Sequence, residues 1–374
     1  VATDQVVPGT TGGSVHVLEV ARGLAALGHE VHVVIQAADG AAVPEPAGGV
    51  HWHGVRWWPP HRFFRWRARA AVEALADALR PQAVMERYYN FGGEGILTAE
   101  ARGLPAVLEV NSPLVDHRRS FKAALDAALI VRPLRRRRER LCRSAAALVS
   151  PLPEIVPAFA RGKTRRVTWG ANVDTFHPQR RSAALRAELG VPEKGTAVVF
   201  AGSFRAWHGV PVLEEAARRL AHRDDIVFLL AGGDRAAAGD GYHGRRLGPL
   251  PYARMPELLA SADVGVAPYD TARLRQLELG FYWSPLKVFE YMASALPTVT
   301  IARDPLTDIV REGEEGLHVP EADPPALAAA IERLAGDAEA RARMGRSARE
   351  RVVEAYSWQV HCRQLDALLR ELVA

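Results

Sequence analysis

"SPLKVFE", Ser284 to Glu290, sets a cation and a carboxylate three positions apart where a helix is expected to begin. Ser284 is a preferred capping residue and Pro285 a preferred first helical residue. The amides of Leu286 and Lys287 would then have no partner inside the helix, and with the helix dipole they form a positive socket suited to phosphate. Lys287 adds a full charge at the rim. Glu290, one turn on, is placed to accept hydrogen bonds from paired hydroxyls such as a ribose diol. An ordinary capped helix with a solvated Lys and Glu fits the same residues equally well, so the rest of the chain has to decide.

"FAGSFRAWHGVPVLEEA" supplies a second piece. A strand ends at Gly202 and Ser203, and a loop carrying Arg205 and His208 reaches Gly209 before the next helix. Small residues at a strand's carboxyl end let a ligand approach the backbone. "TGGS", with Gly12 and Gly13, reads as a glycine turn after a first strand, again suited to phosphate or sugar oxygens. By itself a Gly-Gly turn is more often a tight connection.

The elements that must position these residues alternate. "SVHVLEVARGLAALG" puts Val17, Val20, Ala21, Leu24 and Leu27 on one helical face. "HEVHVVIQA", "QAVMERYY", "PAVLEVNSP" and "AALVSP" read as strands, and Val1 as the interior of an earlier one with a few residues expected before it. The second half repeats the scheme with strands at "TAVVFAGSF", "IVFLLAGG", "DVGVAPY", "PTVTIA" and "GLHVP", and helices at "VPVLEEAARRLAHR", "MPELLASA" and after Ser284. This alternation predicts an α/β protein of two doubly wound domains facing a central cleft, with ligands at the carboxyl ends of the strands. The polar stretch "RRVTWGANVDTFHP" leads into the second domain.

Composition narrows the class. A chain of 374 residues, 48% hydrophobic and 24% charged, has the profile of a soluble globular protein with room for two domains. No apolar run reaches membrane-spanning length, and no secretory signal is visible. Cys142 and Cys362 are isolated, so neither a disulfide framework nor a cysteine metal site is expected, and a cytoplasmic setting is the default. The net charge of +5 suits acidic ligands without selecting one.

Six segments, "TGGSVHVLEVARGLAALGHEV", "WGANVDTFHP", "AGSFRAWHG", "GPLPYARMPELLASADVGVAPY", "SPLKVFEYMASALPTV" and "YSWQVHCRQL", occur in an order and spacing that resembles the family 4 (GT4) glycosyltransferases, over nearly the whole chain. The resemblance implies the GT-B fold: an acceptor domain at 1–165, a nucleotide-sugar domain at 166–356, and a last helix at 357–374 crossing back to the first domain. It implies transfer of a sugar from a nucleoside diphosphate sugar, UDP favoured, to a hydroxyl acceptor, with retention and no required metal or other cofactor. The absence of an Asp-x-Asp motif agrees with that. Glu290 matches the ribose-binding carboxylate that ends the family's E-x7-E motif, whereas the first Glu falls on Tyr282. The family's diphosphate-binding Arg and Lys fall on Ser203 and His208, so Arg205 and Lys287 are expected to supply the positive charge. Leu250 sits where main-chain groups read the base, and Asn111 replaces a histidine at the acceptor end of the first domain. Arg205, His208 and Lys287 are the catalytic candidates, because positive groups at the diphosphate stabilise the departing charge. Arg87 and Tyr88, at a strand end, are acceptor candidates.

Other signals weigh less. "RGKT" resembles the end of a phosphate loop but lacks its glycine and its strand. The run Arg132 to Arg143 reads first as a solvated basic helix face and second as contact with an anionic surface. His51 to Arg69 interleaves Trp57, Trp58, Phe63, Phe64 and Trp66 with arginines, which suits a domain core, a membrane interface or an acceptor site. A nucleic-acid role lacks a recognition fold. A sugar-nucleotide epimerase and a non-catalytic binder of nucleotide-sugars or membrane surfaces are the alternatives.

Overall fold

The computed structural model describes residues 1–374 apart from 4, 6, 8, 10, 38–42, 56–67, 89–91, 117–120, 129–131, 235, 275–276, 278 and 283. They form two compact units: Val1–Trp169 with Tyr282–Ser284 and Trp358–Ala374, and Gly170–Phe281 with Pro285–Ser357.

In the first unit, helix α1 (Gly12–Ala26) buries Val17, Val20, Ala21 and Leu24, the apolar face expected, while Leu27 is already its C-cap and only half-buried. Strands β1 (Val31–Gln36) and β2 (Val50–Val55) pair in parallel. Helix α2 (Arg69–Leu79) leads to β3 (Val84–Tyr88), and α3 (Glu94–Arg102) to β4 (Ala106–Val110). Helices α4 (Phe121–Ala128) and α5 (Pro133–Ser144) precede β5 (Ala147–Ser150) and β6 (Thr164–Arg166). Strands β3-β4-β5-β6 are parallel neighbours. Residues 1–3 join the two sets. The Ala2 N–H donates to Met85 O (2.9 Å) and the Thr3 N–H to Val34 O (3.1 Å), so this segment lies between β1 and β3. Chain order reverses on either side of it, which is the doubly wound arrangement.

The second unit contains α6 (Ala183–Glu188), β7 (Thr196–Ala201), α7 (Val210–Arg219), β8 (Ile226–Ala231), β9 (Ala236–Ala238), β10 (Gly244–Gly248) and α8 (Met255–Ala260). It continues with β11 (Val264–Ala267), α9 (Leu286–Ala293), β12 (Thr298–Ile301), α10 (Leu306–Ile309), β13 (Gly316–Val319), α11 (Pro324–Gly336) and α12 (Ala338–Ala355). The sheet order is β13-β12-β11-β7-β8-β10-β9, parallel except for β9. Fully buried runs such as "TAVVFA" in β7 and "IVFLLA" in β8 are what a sheet covered on both faces requires. Phe200, Phe228, Leu213 and Ile331 lie in the core between sheet and helices. Strands β2, β6, β9 and β10 were not expected; His, Gly or Arg residues interrupt the apolar pattern of β2, β6 and β10, β9 is only three alanines, and β2, β6 and β9 lie at sheet ends.

Helix α13 (Trp358–Val373) belongs to the first unit and packs on α1, where Cys362 presses so closely on Gly23 that a Cβ there would sit 2.3 Å from Sγ. Cys142 and Cys362 are free and buried. The arginine run on α5 is more internally paired than a solvated face would be. Arg138 is buried and donates to Leu114 O (3.0 Å) and to Asp116, while Asp126 accepts the Leu134 and Arg135 amides at 2.8 Å each. Arg140 pairs with Glu100, and Arg135 and Arg143 with Glu139. The aromatic–arginine stretch from Arg56 to Arg67 lies outside the described residues, as do Tyr89, Asn90 and Phe91. No described helix is long and apolar enough to cross a membrane.

Candidate functional site

The strand order of the second unit reverses between β7, which continues through β8 to β10, and β11, which continues to β12 and β13. Ligands of doubly wound sheets bind beyond the carboxyl ends of the strands at such a reversal. The sequence candidates Gly202, His208 and Lys287 meet there. Gly202 follows β7 with φ +146°, and a Cβ on it would lie 2.9 Å from Lys287 Nζ, so only glycine leaves the lysine its place. Gly209, at φ +71°, lies against the end of β11, where a Cβ would fall 1.6 Å from Pro268 O. Tyr291 of α9 accepts the Ala201 N–H (2.8 Å) and packs its ring on Gly265, which ties the helix to the ends of β7 and β11.

The start of α9 differs from expectation. Pro285, with ψ 70°, is the N-cap, and Leu286 is the first helical residue. Ser284 does not cap: its hydroxyl accepts the Trp169 N–H (3.1 Å), and both residues belong to the first unit. The cap site therefore lacks a side-chain acceptor. The Leu286 and Lys287 amides precede the first bond of the helix, Val288 N–H to Pro285 O (2.8 Å), so the socket persists. Lys287 Nζ is buried, has no hydrogen-bond partner among the described residues, and stands 4.0 Å from the Phe200 ring centroid and 5.3 Å from that of Tyr269. Glu290 is buried and accepts the Tyr252 hydroxyl proton at 2.8 Å.

Burial sets the charges. Desolvation pulls Lys287 down to about 7, partly opposed by Glu290. Desolvation likewise lifts Glu290 to about 7, against the Tyr252 hydrogen bond and the Lys287 charge. His208 falls to about 3 through burial and the nearby Lys287. Its Nδ1 donates to Ser203 O, which leaves the lone pair on Nε2. In the unliganded protein His208 is thus a neutral acceptor, not the cation or proton donor that its position suggested, because burial and then the neighbouring Lys287 disfavour its protonated form. Arg205 is exposed at the head of the Ala206–His208 turn, and Ser203 is exposed with its carbonyl accepting the Arg205 amide (2.7 Å). Leu250 is half-buried in the segment that links β10 to Tyr252.

The remaining candidates belong to the first unit. Gly12 and Gly13 do not form a turn; they are the first two residues of α1, capped by Thr11, whose hydroxyl accepts the Ser14 N–H (3.2 Å). Tyr282 is buried in this unit. Arg87 and Tyr88 end β3, and Asn111 follows β4, all buried. The Asn111 Nδ2 has no hydrogen-bond partner among the described residues. Arg87 enters a buried polar cluster: His16 Nε2 lies 2.7 Å from Glu109 Oε1, and the Arg87 guanidinium is 5.8 Å from the Trp169 ring centroid. The His16 ring also stacks on Trp169 and meets Trp358 and His361 edge-on. Burial opposes the charge of Glu109, yet His16, Arg87 and His361 outweigh it and hold the carboxyl down at about 2.

Tyr252 is a site residue that sequence reading missed. It lies 38 positions from Glu290, and no local spacing announces the contact. The buried partners His16 and Glu109 escaped for the same reason.

Two family models match the chain, "Glycosyltransferase Family 4" over residues 10–164 and "Glycosyl transferases group 1" over 195–337. The D-inositol 3-phosphate glycosyltransferase of Corynebacterium glutamicum is 29% identical over 226 residues, covering 56% of this chain and 51% of that protein. That of Salinispora tropica is 28% identical over 417 residues, covering 98% and 83%. This chain thus spans about half the length of the first of these relatives. Among solved structures, Anabaena HepE in complex with UDP-glucose has a TM-score of 0.71 at 15% identity, covering 99% of each chain, which is a likeness of fold.

Proposed function

Because this chain belongs to the family 4 glycosyltransferases, with their two-domain GT-B fold, we propose that it transfers a sugar from a nucleoside diphosphate sugar, a UDP-sugar by preference, to a hydroxyl acceptor, with retention and without a metal. The observation that carries this reading is the buried Lys287 ammonium without a hydrogen-bond partner among the described residues, at the strand reversal of the second unit and one helical turn from Glu290. An uncompensated buried charge beside phosphate-binding geometry marks a ligand site.

The roles follow from the chemistry. Departure of the diphosphate builds negative charge on its bridging oxygen while the sugar becomes oxocarbenium-like. Lys287 and the Leu286 and Lys287 amides stabilise that charge in a dry site, where fixed donors act most strongly. Arg205 adds charge from the exposed side. Glu290, oriented by Tyr252 (2.8 Å), accepts from the ribose hydroxyls. The backbone around Leu250 reads the base. Neutral His208 offers Nε2 to a donor hydroxyl and gains a proton only as the phosphate charge arrives. The departing phosphate takes the acceptor proton on the same face, which yields retention. Asn111 is the acceptor-side group this reading favours, since its buried amide nitrogen lacks a hydrogen-bond partner among the described residues. UDP is favoured because HepE, similar in fold, is known with UDP-glucose.

Thermal stabilisation by UDP, GDP, ADP, TDP and CDP, each with and without magnesium, tests the donor site, since a ligand of the folded state alone raises its melting temperature. The expected result is a shift by UDP above the others, unchanged by magnesium. Release of UDP is then followed with an acceptor panel that includes D-inositol 3-phosphate, the compound in the relatives' name. Absence of any shift sinks the donor assignment. Binding without turnover on any acceptor favours a non-catalytic binder, and donor conversion without acceptor an epimerase.

A further inference from the structure

On β1 and β2 of the first unit, "HEVHV" and "HWHGV" bring together four polar side chains that the transfer reaction does not use. Alternate residues of a strand share a face, so Glu30 goes with His32 and His51 with His53. Parallel pairing sets His32 opposite His51 and Val34 opposite His53, which merges both sets into one cluster. The His32 and His51 rings stack with centroids 4.6 Å apart. Glu30 Oε1 lies 3.1 Å from His32 Nε2 and 3.9 Å from His51 Nε2, and one ligand atom from each residue falls within 4.8 Å of the others.

We propose that Glu30, His32 and His51 form a binding site for a borderline divalent transition metal, zinc by preference, oriented by His53. Two imidazoles and one carboxylate are a donor set zinc accepts, and three protein ligands leave a fourth position for water. Tetrahedral zinc with bonds of about 2.0–2.1 Å holds its donors roughly 3.4 Å apart. The observed separations bracket that value, and Glu30, 73% exposed, and His51, 41% exposed, are free to adjust. His53 plays the outer part. Its Nε2 lies 3.0 Å from His32 Nδ1, so a proton held on His32 Nδ1 and donated to His53 keeps the Nε2 lone pair available for the ion. A bound ion would tie β2 to β1. No sequence motif announces the set, because it exists only once two strands pair in this register.

The test uses the full chain without a histidine tag, stripped with chelator and titrated with Zn2+ against a chromogenic competitor. Co2+ serves as a second probe through its visible absorption. One equivalent of Zn2+ should bind saturably, with Co2+ bands of a four-coordinate site. His51→Ala and Glu30→Gln should each weaken binding at least tenfold with circular dichroism unchanged, and both side chains are exposed enough for the variants to fold. His53→Ala should weaken binding by roughly ten- to a hundredfold while the Co2+ bands persist, as expected for an orienting partner. His222→Ala, at an exposed histidine near Glu332 (4.0 Å), should change nothing. No stoichiometric binding, or equal binding by wild type and His51→Ala, overturns the proposal. So does an equal loss in His222→Ala, which would mark the binding as nonspecific.

Discussion

Both units bury ionisable groups, and they treat them in opposite ways. In the first, His16, Arg87 and His361 outweigh the burial of Glu109, and the carboxyl is held down at about 2. In the second, Lys287 has aromatic rings for neighbours and Glu290 as an opposing charge, and both groups are pushed to about 7. Compensation within the protein signs a scaffold, whereas a buried charge left uncompensated signs a place where a ligand completes the set.

The largest test breaks the compensated side. Glu109→Gln removes the buried carboxylate that His16 and Arg87 face and should cost roughly 3–5 kcal/mol in urea denaturation at neutral pH. Because the folded pKa lies below the ordinary 4.5, the stabilisation from Glu109 is full above that value and is lost as pH falls towards about 2. An unchanged unfolding midpoint would remove the contrast between the units.

Lys287→Met should do the reverse. Turnover should fall roughly a hundred- to a thousandfold, the scale of losing one fixed donor to a developing oxyanion. The unliganded fold should not weaken. Between about pH 7 and 10.5 the unfolded chain binds a proton that folded Lys287 does not, so wild-type stability rises with pH across that window. Glu290 acts oppositely: folded, it keeps a proton between 4.5 and about 7 that the unfolded chain releases, so stability falls with rising pH there. Together they place a dip near neutral pH in the stability profile of the second unit, and Lys287→Met should erase its alkaline limb. A strong loss of unliganded stability in that variant would mean Lys287 is a strut.

Glu290→Gln should weaken nucleoside diphosphate binding by roughly 1–3 kcal/mol, the range for hydrogen bonds to a charged group, as read by calorimetry. Tyr252→Phe should have the smallest effect, about 1 kcal/mol in the same measurement, since it removes only the group that orients Glu290. Equal losses in the two variants would show Tyr252 touching the ligand itself.

Much of the architecture was legible. Buried strands such as β7 and β8 are unbroken apolar runs, and the alternation of strand and helix pointed to the doubly wound class before any contact was known. Strands β2 and β10 were not legible, because they carry His, Gly and Arg where a solvated side tolerates them. Of the candidate site, Lys287 and Glu290 were picked out by their spacing on one helix. The Ser284 cap failed because its hydroxyl is engaged by Trp169, and His208 failed as a cation because burial beside Lys287 removes its charge.

Most elements, their alternation, the family and the helical pair Lys287 and Glu290 could be read along the chain, since these depend on propensity, apolar period and local spacing. Tertiary structure alone decided which charges are compensated, which histidines are neutral, that Tyr252 orients Glu290, and that Glu30 and three histidines share one face. Those properties depend on desolvation and on distances between residues far apart in the chain, and neither quantity exists until the strands have paired and the helices have closed over them.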